Sequence, residues 1–98
     1  GNLSLDCTQY LLYTKRENVH LNKKEYQLME LFLRYPGHVF SSEHLMEKVW
    51  GLESEAEIDV VWTYIGFLRK KLKQIGSTVE IRTIRGVGYA LKEMEKTC

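Results

Sequence analysis

The segment VVWTYIGFLRKKLKQIG, residues 60–76, decides how the rest of the sequence is interpreted. Its apolar residues recur at spacings of four, three and four, the pattern of one buried face of an α-helix. At about 100° of rotation per residue, Gly66 and Phe67 lie on the opposite face, where a solvated helix would be more polar. A glycine within a helix costs about 1 kcal/mol relative to alanine, so this outer face is expected to meet a partner. The buried face consists of Val61, Ile65, Leu68 and Leu72.

The composition is that of one soluble globular domain, residues 1–98, with 44% hydrophobic and 28% charged residues. No run approaches the roughly 20 apolar residues of a membrane span, and no leader peptide pattern begins the chain. We expect Cys7 and Cys98 to be reduced thiols, because a disulfide to the last residue would fix only the tail. The three histidines lack metal-ligand spacing. These features predict a cytoplasmic domain without metal or other cofactor.

The net charge of +1 is unevenly distributed along the chain. Residues 1–57 hold six basic and nine acidic side chains, a balance of −3, whereas residues 58–98 hold eight basic and four acidic ones, a balance of +4. This asymmetry is weak evidence for a local site that binds a polyanion.

The first half of the chain predicts a small antiparallel sheet followed by a helix. Asn22 and Glu25 form a capping-box pattern at the start of this helix, and Pro36 with Gly37 ends it. The strands are predicted in LSLD (3–6), YLLYT (10–14) and NVHL (18–21).

Two more helices and a hairpin follow. Ser41 or Ser42 caps the second helix, which ends at Gly51. Ser54 and Glu57 give an S-x-x-E start to a third helix at about 57–75, and VEIRTIRGVGYALK predicts a β-hairpin at about 79–92. Two helices followed by a hairpin describe a winged helix-turn-helix, in which the last helix lies in the major groove of DNA.

Three segments in this order resemble the C-terminal effector domain of OmpR/PhoB-family bacterial response regulators. They are GHVFSSEHLMEKVWG (37–51), VVWTYIGFLRKKL (60–72) and IRTIRGVGYAL (81–91). The resemblance covers essentially the whole chain. It implies an α+β winged helix-turn-helix with an N-terminal four-stranded antiparallel sheet, three helices and a C-terminal β-hairpin wing.

The resemblance also implies a function and partners. The domain would bind promoter DNA sequence-specifically, as a monomer that forms head-to-tail pairs on repeated half-sites. The whole protein would carry a receiver domain, absent from these residues, that a sensor histidine kinase phosphorylates. The loop between the second and third helices would contact RNA polymerase through Leu52, Glu53, Ser54 and Glu55.

Each predicted DNA contact has its own basis. On the third helix, small or apolar side chains allow close approach and contact with thymine methyl groups, which makes Val60, Thr63, Gly66 and Phe67 the base-facing residues. Arg69, Lys70 and Arg85 match family positions that bind the DNA backbone and, for Arg85, the minor groove. The remaining backbone contacts are predicted at Lys71, Arg82 and Thr83, and, from the amide groups at the start of the second helix, at Ser42 and His44.

Relatives often carry arginine or another polar residue at the positions of Gly66 and Phe67. Because no Arg or Lys occupies the central outer turns, we expect an AT-leaning site with readout of DNA shape. Phe67 has an alternative role, packing against the wing or another subunit. The sequence leaves Trp62 open between packing under the acidic loop and approaching DNA, whereas Trp50 is expected in the core.

Several of these residues also have simpler structural roles, and the domain has a rival function. The cations late in the third helix complement its C-terminal dipole, and the turn geometry of Gly86 and Gly88 is expected to be their main role. No catalytic constellation stands out, so we expect no enzymatic activity. The rival function is a winged helix that binds protein and not DNA, for which the weakly charged outer face is the support.

Overall fold

The computed structural model describes residues 2–51 and 55–93. Three short strands, β1 (Ser4–Asp6), β2 (Leu11–Tyr13) and β3 (Asn18–His20), form an antiparallel sheet in the order β1-β2-β3. All three lie in the segments predicted as strands. The fourth strand implied by the resemblance is not confirmed, because the described residues form one three-stranded sheet and one two-stranded sheet.

Helix α1 (Lys23–Arg34) begins with the predicted capping box. The Glu25 amide donates to Asn22 Oδ1 at 2.9 Å, and the Asn22 amide donates to Glu25 Oε1 at 2.8 Å. The helix ends before Pro36, and Gly37 adopts φ +83° at the exit, as the sequence predicted.

Helix α2 (Ser42–Leu45) continues directly as a π-helical turn, Met46–Trp50. The Gly51 amide donates to Met46 O at 3.0 Å, and Gly51 ends the helix with φ +87°. Of the two predicted caps, the structure selects Ser41, whose Oγ accepts from the His44 amide at 3.1 Å.

Helix α3 (Asp59–Gln74) is the predicted third helix. All four residues of its predicted inner face are buried. Its S-x-x-E start was wrong, because Glu57 precedes the helix and Ile58 stands at the cap position without a side-chain hydrogen bond. Ser54 lies outside the described residues.

The hairpin pairs β4 (Val79–Ile84) with β5 (Gly88–Glu93). A backbone bridge joins it to the segment before α2, since Phe40 and Tyr89 exchange both amide hydrogen bonds at 2.8 Å. One hydrophobic core lies between the sheet, the helices and the hairpin. Its fully buried side chains are Leu12, Leu28, Met29, Phe32, Leu45, Val61, Ile65, Leu68 and Ile75.

Candidate nucleic-acid interface

The outer face of α3 is exposed as predicted. Thr63 and Gly66 are exposed and Val60 is half-buried, while 47% of the Phe67 side chain is accessible. The Thr63 hydroxyl donates to the Asp59 carbonyl at 3.2 Å, so it keeps acceptor capacity toward the outside. The structure therefore brings the four predicted base-facing residues onto one side of the helix.

Gly66 has no internal packing reason to be glycine. A Cβ atom built on it would meet nothing within 4 Å, and its φ is not in the left-handed region. A glycine is costly in mid-helix, and the fold would accept a larger residue here. An external partner that approaches the helix backbone closely would explain it.

Arg69 connects α3 to the wing. Its Nε donates to Ile81 O at 2.9 Å, and its NH2 group donates to Thr83 Oγ1 at 2.6 Å. The guanidinium also lies 5.9 Å from the ring centroid of Tyr89. These contacts hold β4 and β5 beside α3. Arg69 and Thr83, each predicted to contact the DNA backbone, are thus hydrogen-bonded to each other. Their phosphate contacts stay predictions.

Lys71 is directed away from the outer face. Its Nζ lies 2.6 Å from Glu25 Oε1 and donates to His20 O at 3.0 Å. Glu25 is only 2% exposed, so the pair joins α3 to a buried carboxylate in the first turn of α1. The phosphate contact predicted for Lys71 has no support from this geometry.

Replacing Lys71 by methionine should lower the free energy of unfolding by about 3 kcal/mol, because it leaves the buried Glu25 carboxylate without its cation. Urea denaturation measures this change. Lys70→Met, at the exposed neighbouring position, is the matched control and should change stability by about 0.5 kcal/mol or less. Adding Glu25→Gln to Lys71→Met should recover part of the loss; equal effects at Lys70 and Lys71 would contradict this account.

The wing carries the remaining predicted cations. Arg82 donates to Glu80 Oε1 at 2.8 and 3.2 Å, which places its guanidinium along β4. Arg85 is exposed at the tip of the hairpin, where Gly86 makes the turn with φ +76°. Within residues 2–51 and 55–93, neither Arg85 nor the exposed Lys70 is in an ion pair.

Gly88 is not required by the geometry of the turn, contrary to the prediction from the sequence. Its φ is not in the left-handed region, but a Cβ atom there would lie 2.6 Å from Phe40 C and 2.9 Å from Ser41 Cα. The residue is glycine because β5 passes directly against the segment before α2. The sequence treated that segment as a plain link, and no local pattern pointed to this contact.

The start of α2 has fewer free amide groups for a phosphate than predicted. The His44 amide is satisfied by the Ser41 cap, and the His44 ring packs edge-on against Phe40 with centroids 5.6 Å apart. Ser42 and His44 are both half-buried. Their contacts with phosphate stay predictions.

Aromatic residues lie on the α2 side of α3. Tyr64 packs edge-on against Trp50, with centroids 5.2 Å apart, and against Phe67 at 5.5 Å. Lys24 Nζ lies 5.7 Å from the centroid of the Trp50 ring. Phe67 therefore rests partly on Tyr64 of its own helix. Trp50 is half-buried, in accord with its expected place at the core.

The acidic loop between α2 and α3 is described only in part. Leu52, Glu53 and Ser54 of the predicted polymerase contact lie outside the described residues, and Glu55 is exposed. Across the described ranges, no cluster of three or more His, Cys, Asp or Glu side chains is arranged to hold a metal ion. No described helix has the length and apolarity needed to cross a membrane.

Comparison with known proteins gives concordant matches. The family model for the C-terminal domain of transcriptional regulatory proteins matches residues 16–91. The transcriptional regulatory protein DltR of Streptococcus agalactiae is 38% identical over 93 residues, covering 95% of this chain and 42% of DltR. The response regulator ArlR of Staphylococcus aureus is 36% identical over 92 residues, covering 94% and 42%. The chain thus spans less than half the length of these two regulators.

Two solved structures share the fold. The DNA-binding domain of the response regulator AdeR, in complex with an intercistronic region, superposes with a TM-score of 0.81 at 28% identity, covering 95% of this chain and 96% of that one. The C-terminal domain of the nisin resistance regulator NsrR gives a TM-score of 0.78 at 34% identity, covering 93% and 91%.

Proposed function

The chain belongs to the family of C-terminal domains of transcriptional regulatory proteins, the OmpR/PhoB type of response-regulator effector domain, and from this we propose that it regulates transcription by binding specific duplex DNA. Helix α3 enters the major groove, and the wing contacts the adjacent minor groove and backbone. The observation that carries the proposal is Gly66, which opens the exposed face of α3 without any packing demand from the fold.

The base-facing residues favour AT-rich sites. The Thr63 and Phe67 side chains offer apolar surface to thymine methyl groups, and a bidentate arginine contact to guanine is not provided from this part of α3. The proposal is tested with base analogues in a bound duplex. Deoxyuridine in place of thymidine removes only the methyl group in the major groove and should weaken binding under α3. An inosine–cytosine pair keeps the minor-groove pattern of adenine–thymine and should be tolerated under the wing.

Arg85 and Thr63 should respond differently to truncation. Arg85→Ala removes a cation, so binding should weaken on most sequences and the salt slope should fall by about 1. Thr63→Ala should relax preference at one base position at a cost of about 1–3 kcal/mol, with the salt slope kept. Titrations on the preferred duplex and single-base variants measure both. Identical behaviour of the two variants would refute these roles.

The role in the whole protein is a further proposal, supported by the family to which the chain belongs. We propose that a receiver domain, phosphorylated by a sensor histidine kinase, precedes this domain in a cytoplasmic regulator. The isolated chain is a monomer that pairs on DNA carrying two half-sites, and residues 52–55 contact RNA polymerase. Native mass measurement should find one protomer without DNA and two on a duplex with both half-sites.

The exposed apolar surface of α3 supports a second candidate function. Ile58 is 45% exposed and Trp62 is 68% exposed, so a winged helix that binds protein remains the rival. Salt separates the two functions, because several phosphate contacts make DNA affinity fall steeply as salt rises. A protein-binding wing would not bind duplex even at low salt.

A further inference from the structure

Trp62 is an exposed indole without an internal role. Among the large hydrophobic side chains in the described ranges it is the most exposed, at 68%. The ring contacts found in that part of the chain involve Trp50 but not Trp62. Burying most of an indole is favourable, so its exposure in an ordered helix points to a partner outside the domain.

The position of Trp62 on α3 is defined by its neighbours. Arg69 follows seven residues later and lies within about 20° of Trp62 around the helix axis. Because Arg69 reaches Ile81 O and Thr83 Oγ1, this flank of α3 faces the wing. Phe67 lies about 140° away and leans on Tyr64, on the opposite flank.

The sugar–phosphate strand between two grooves of duplex DNA would run along the wing-facing flank of α3. This step rests on the proposed function, in which α3 occupies the major groove and the wing the adjacent minor groove. A single sugar–phosphate strand separates two neighbouring grooves, and it therefore passes between α3 and the wing. Trp62 lies on the helix flank that this strand must cross.

The chemistry of an indole suits that strand. Its flat apolar ring can cover deoxyribose carbon atoms, and its Nε1–H is a donor without acceptor capacity, matched to a phosphate oxygen. We propose that Trp62 is a positioning residue for duplex DNA, which packs on a deoxyribose and donates to the phosphate of the strand between the two grooves. Such contacts fix orientation and carry no sequence information.

The test compares Trp62→Ala and Trp62→Phe with the wild-type chain on its preferred duplex and on an unrelated duplex at several salt concentrations. Trp62→Ala should weaken binding about tenfold on both duplexes, by analogy with the loss of a hydrogen bond to a charged group. The salt slope should not change, because indole is uncharged. Tyr13→Ala, at an exposed aromatic residue of β2, is the control and should bind as wild type does.

A scan of single methylphosphonates tests the phosphate contact directly. One neutralised phosphate on the strand between the grooves should weaken wild-type binding, and this loss should shrink in Trp62→Phe, which keeps a ring but lacks the N–H donor. No difference between the two proteins at any phosphate would overturn the proposal.

Four further results would also overturn it. A loss with Trp62→Ala at one base position only would make Trp62 a base-contacting residue. Unchanged DNA affinity with weakened pairing of protomers would assign the indole to a second copy of the chain. A wild-type chain that binds no duplex would remove the proposed function and this inference together, whereas wild-type binding that Trp62→Ala leaves intact would remove the inference alone.

Discussion

Replacing Gly88 by alanine should lower the free energy of unfolding by about 3 kcal/mol. The added methyl group would overlap the Phe40 carbonyl group and approach Ser41 Cα to 2.9 Å. Overpacking of this kind costs about 1–3 kcal/mol. Relief requires β5 to move away from Phe40, which breaks the two backbone hydrogen bonds between Phe40 and Tyr89, worth about 1 kcal/mol each.

Whether Gly88→Ala lowers or raises the free energy of unfolding shows whether a steric conflict exists at this position. Where the backbone has no steric conflict, changing glycine to alanine stabilises a protein by about 0.4–1 kcal/mol through the unfolded state. Gly66→Ala is the matched control, because its Cβ would lie in open space. Chemical denaturation gives both stabilities, and hydrogen exchange at the Phe40 and Tyr89 amides reports the bridge. A Gly88→Ala variant with wild-type stability and protected amides would contradict the packing argument.

Replacing Gly66 by leucine should separate stability from function. The fold leaves the site open, so the free energy of unfolding should rise by about 0.7 kcal/mol on helix propensity. The same side chain would stand between the α3 backbone and the floor of the major groove. DNA affinity should fall about thirtyfold, equivalent to about 2 kcal/mol of overpacking at the interface.

Gly66→Ala gives the intermediate case for this position. It should gain a similar stability and lose less affinity, because a methyl group displaces less of the groove. Denaturation curves and duplex titrations on the three proteins provide the comparison. If leucine at position 66 left DNA affinity unchanged, the outer face of α3 would not be the surface against DNA.

Local patterns in the sequence were sufficient for much of the fold. The stripe of α3 and the Asn22–Glu25 capping box are defined by residues three or four apart, and both were predicted correctly. The strand segments and the hairpin follow from alternation and turn residues in the same way. The fourth strand was inferred only from resemblance, and it is not confirmed in the described part of the chain.

The contacts that the sequence did not predict join residues that are distant from each other in the chain. Lys71 sits at the edge of the outer face, and its flexible side chain turns inward because Glu25, 46 residues earlier, offers a buried carboxylate. Arg69 likewise donates to groups of the wing, Ile81 O and Thr83 Oγ1, that lie 12 and 14 residues later in the chain. The close approach of Gly88 to Phe40 depends on how the hairpin docks, which no local pattern encodes.

The candidate site was predictable in position and less so in detail. Helical geometry alone placed Thr63, Gly66 and Phe67 on one exposed face. It could not distinguish the cations that face outward, such as Lys70, from those held by the fold, such as Lys71. That distinction requires the partners of each side chain, and these are set by tertiary packing.

The central claim is that α3 and the wing bind duplex DNA with sequence preference. Its most direct test is selection of bound duplexes from a random pool with this chain, followed by titration of the selected duplex at several salt concentrations. We expect enrichment of a repeated AT-leaning half-site whose affinity falls steeply with salt. Half-sites dominated by G·C pairs under α3 would contradict the assigned base contacts, and no duplex binding at low salt would contradict the claim itself.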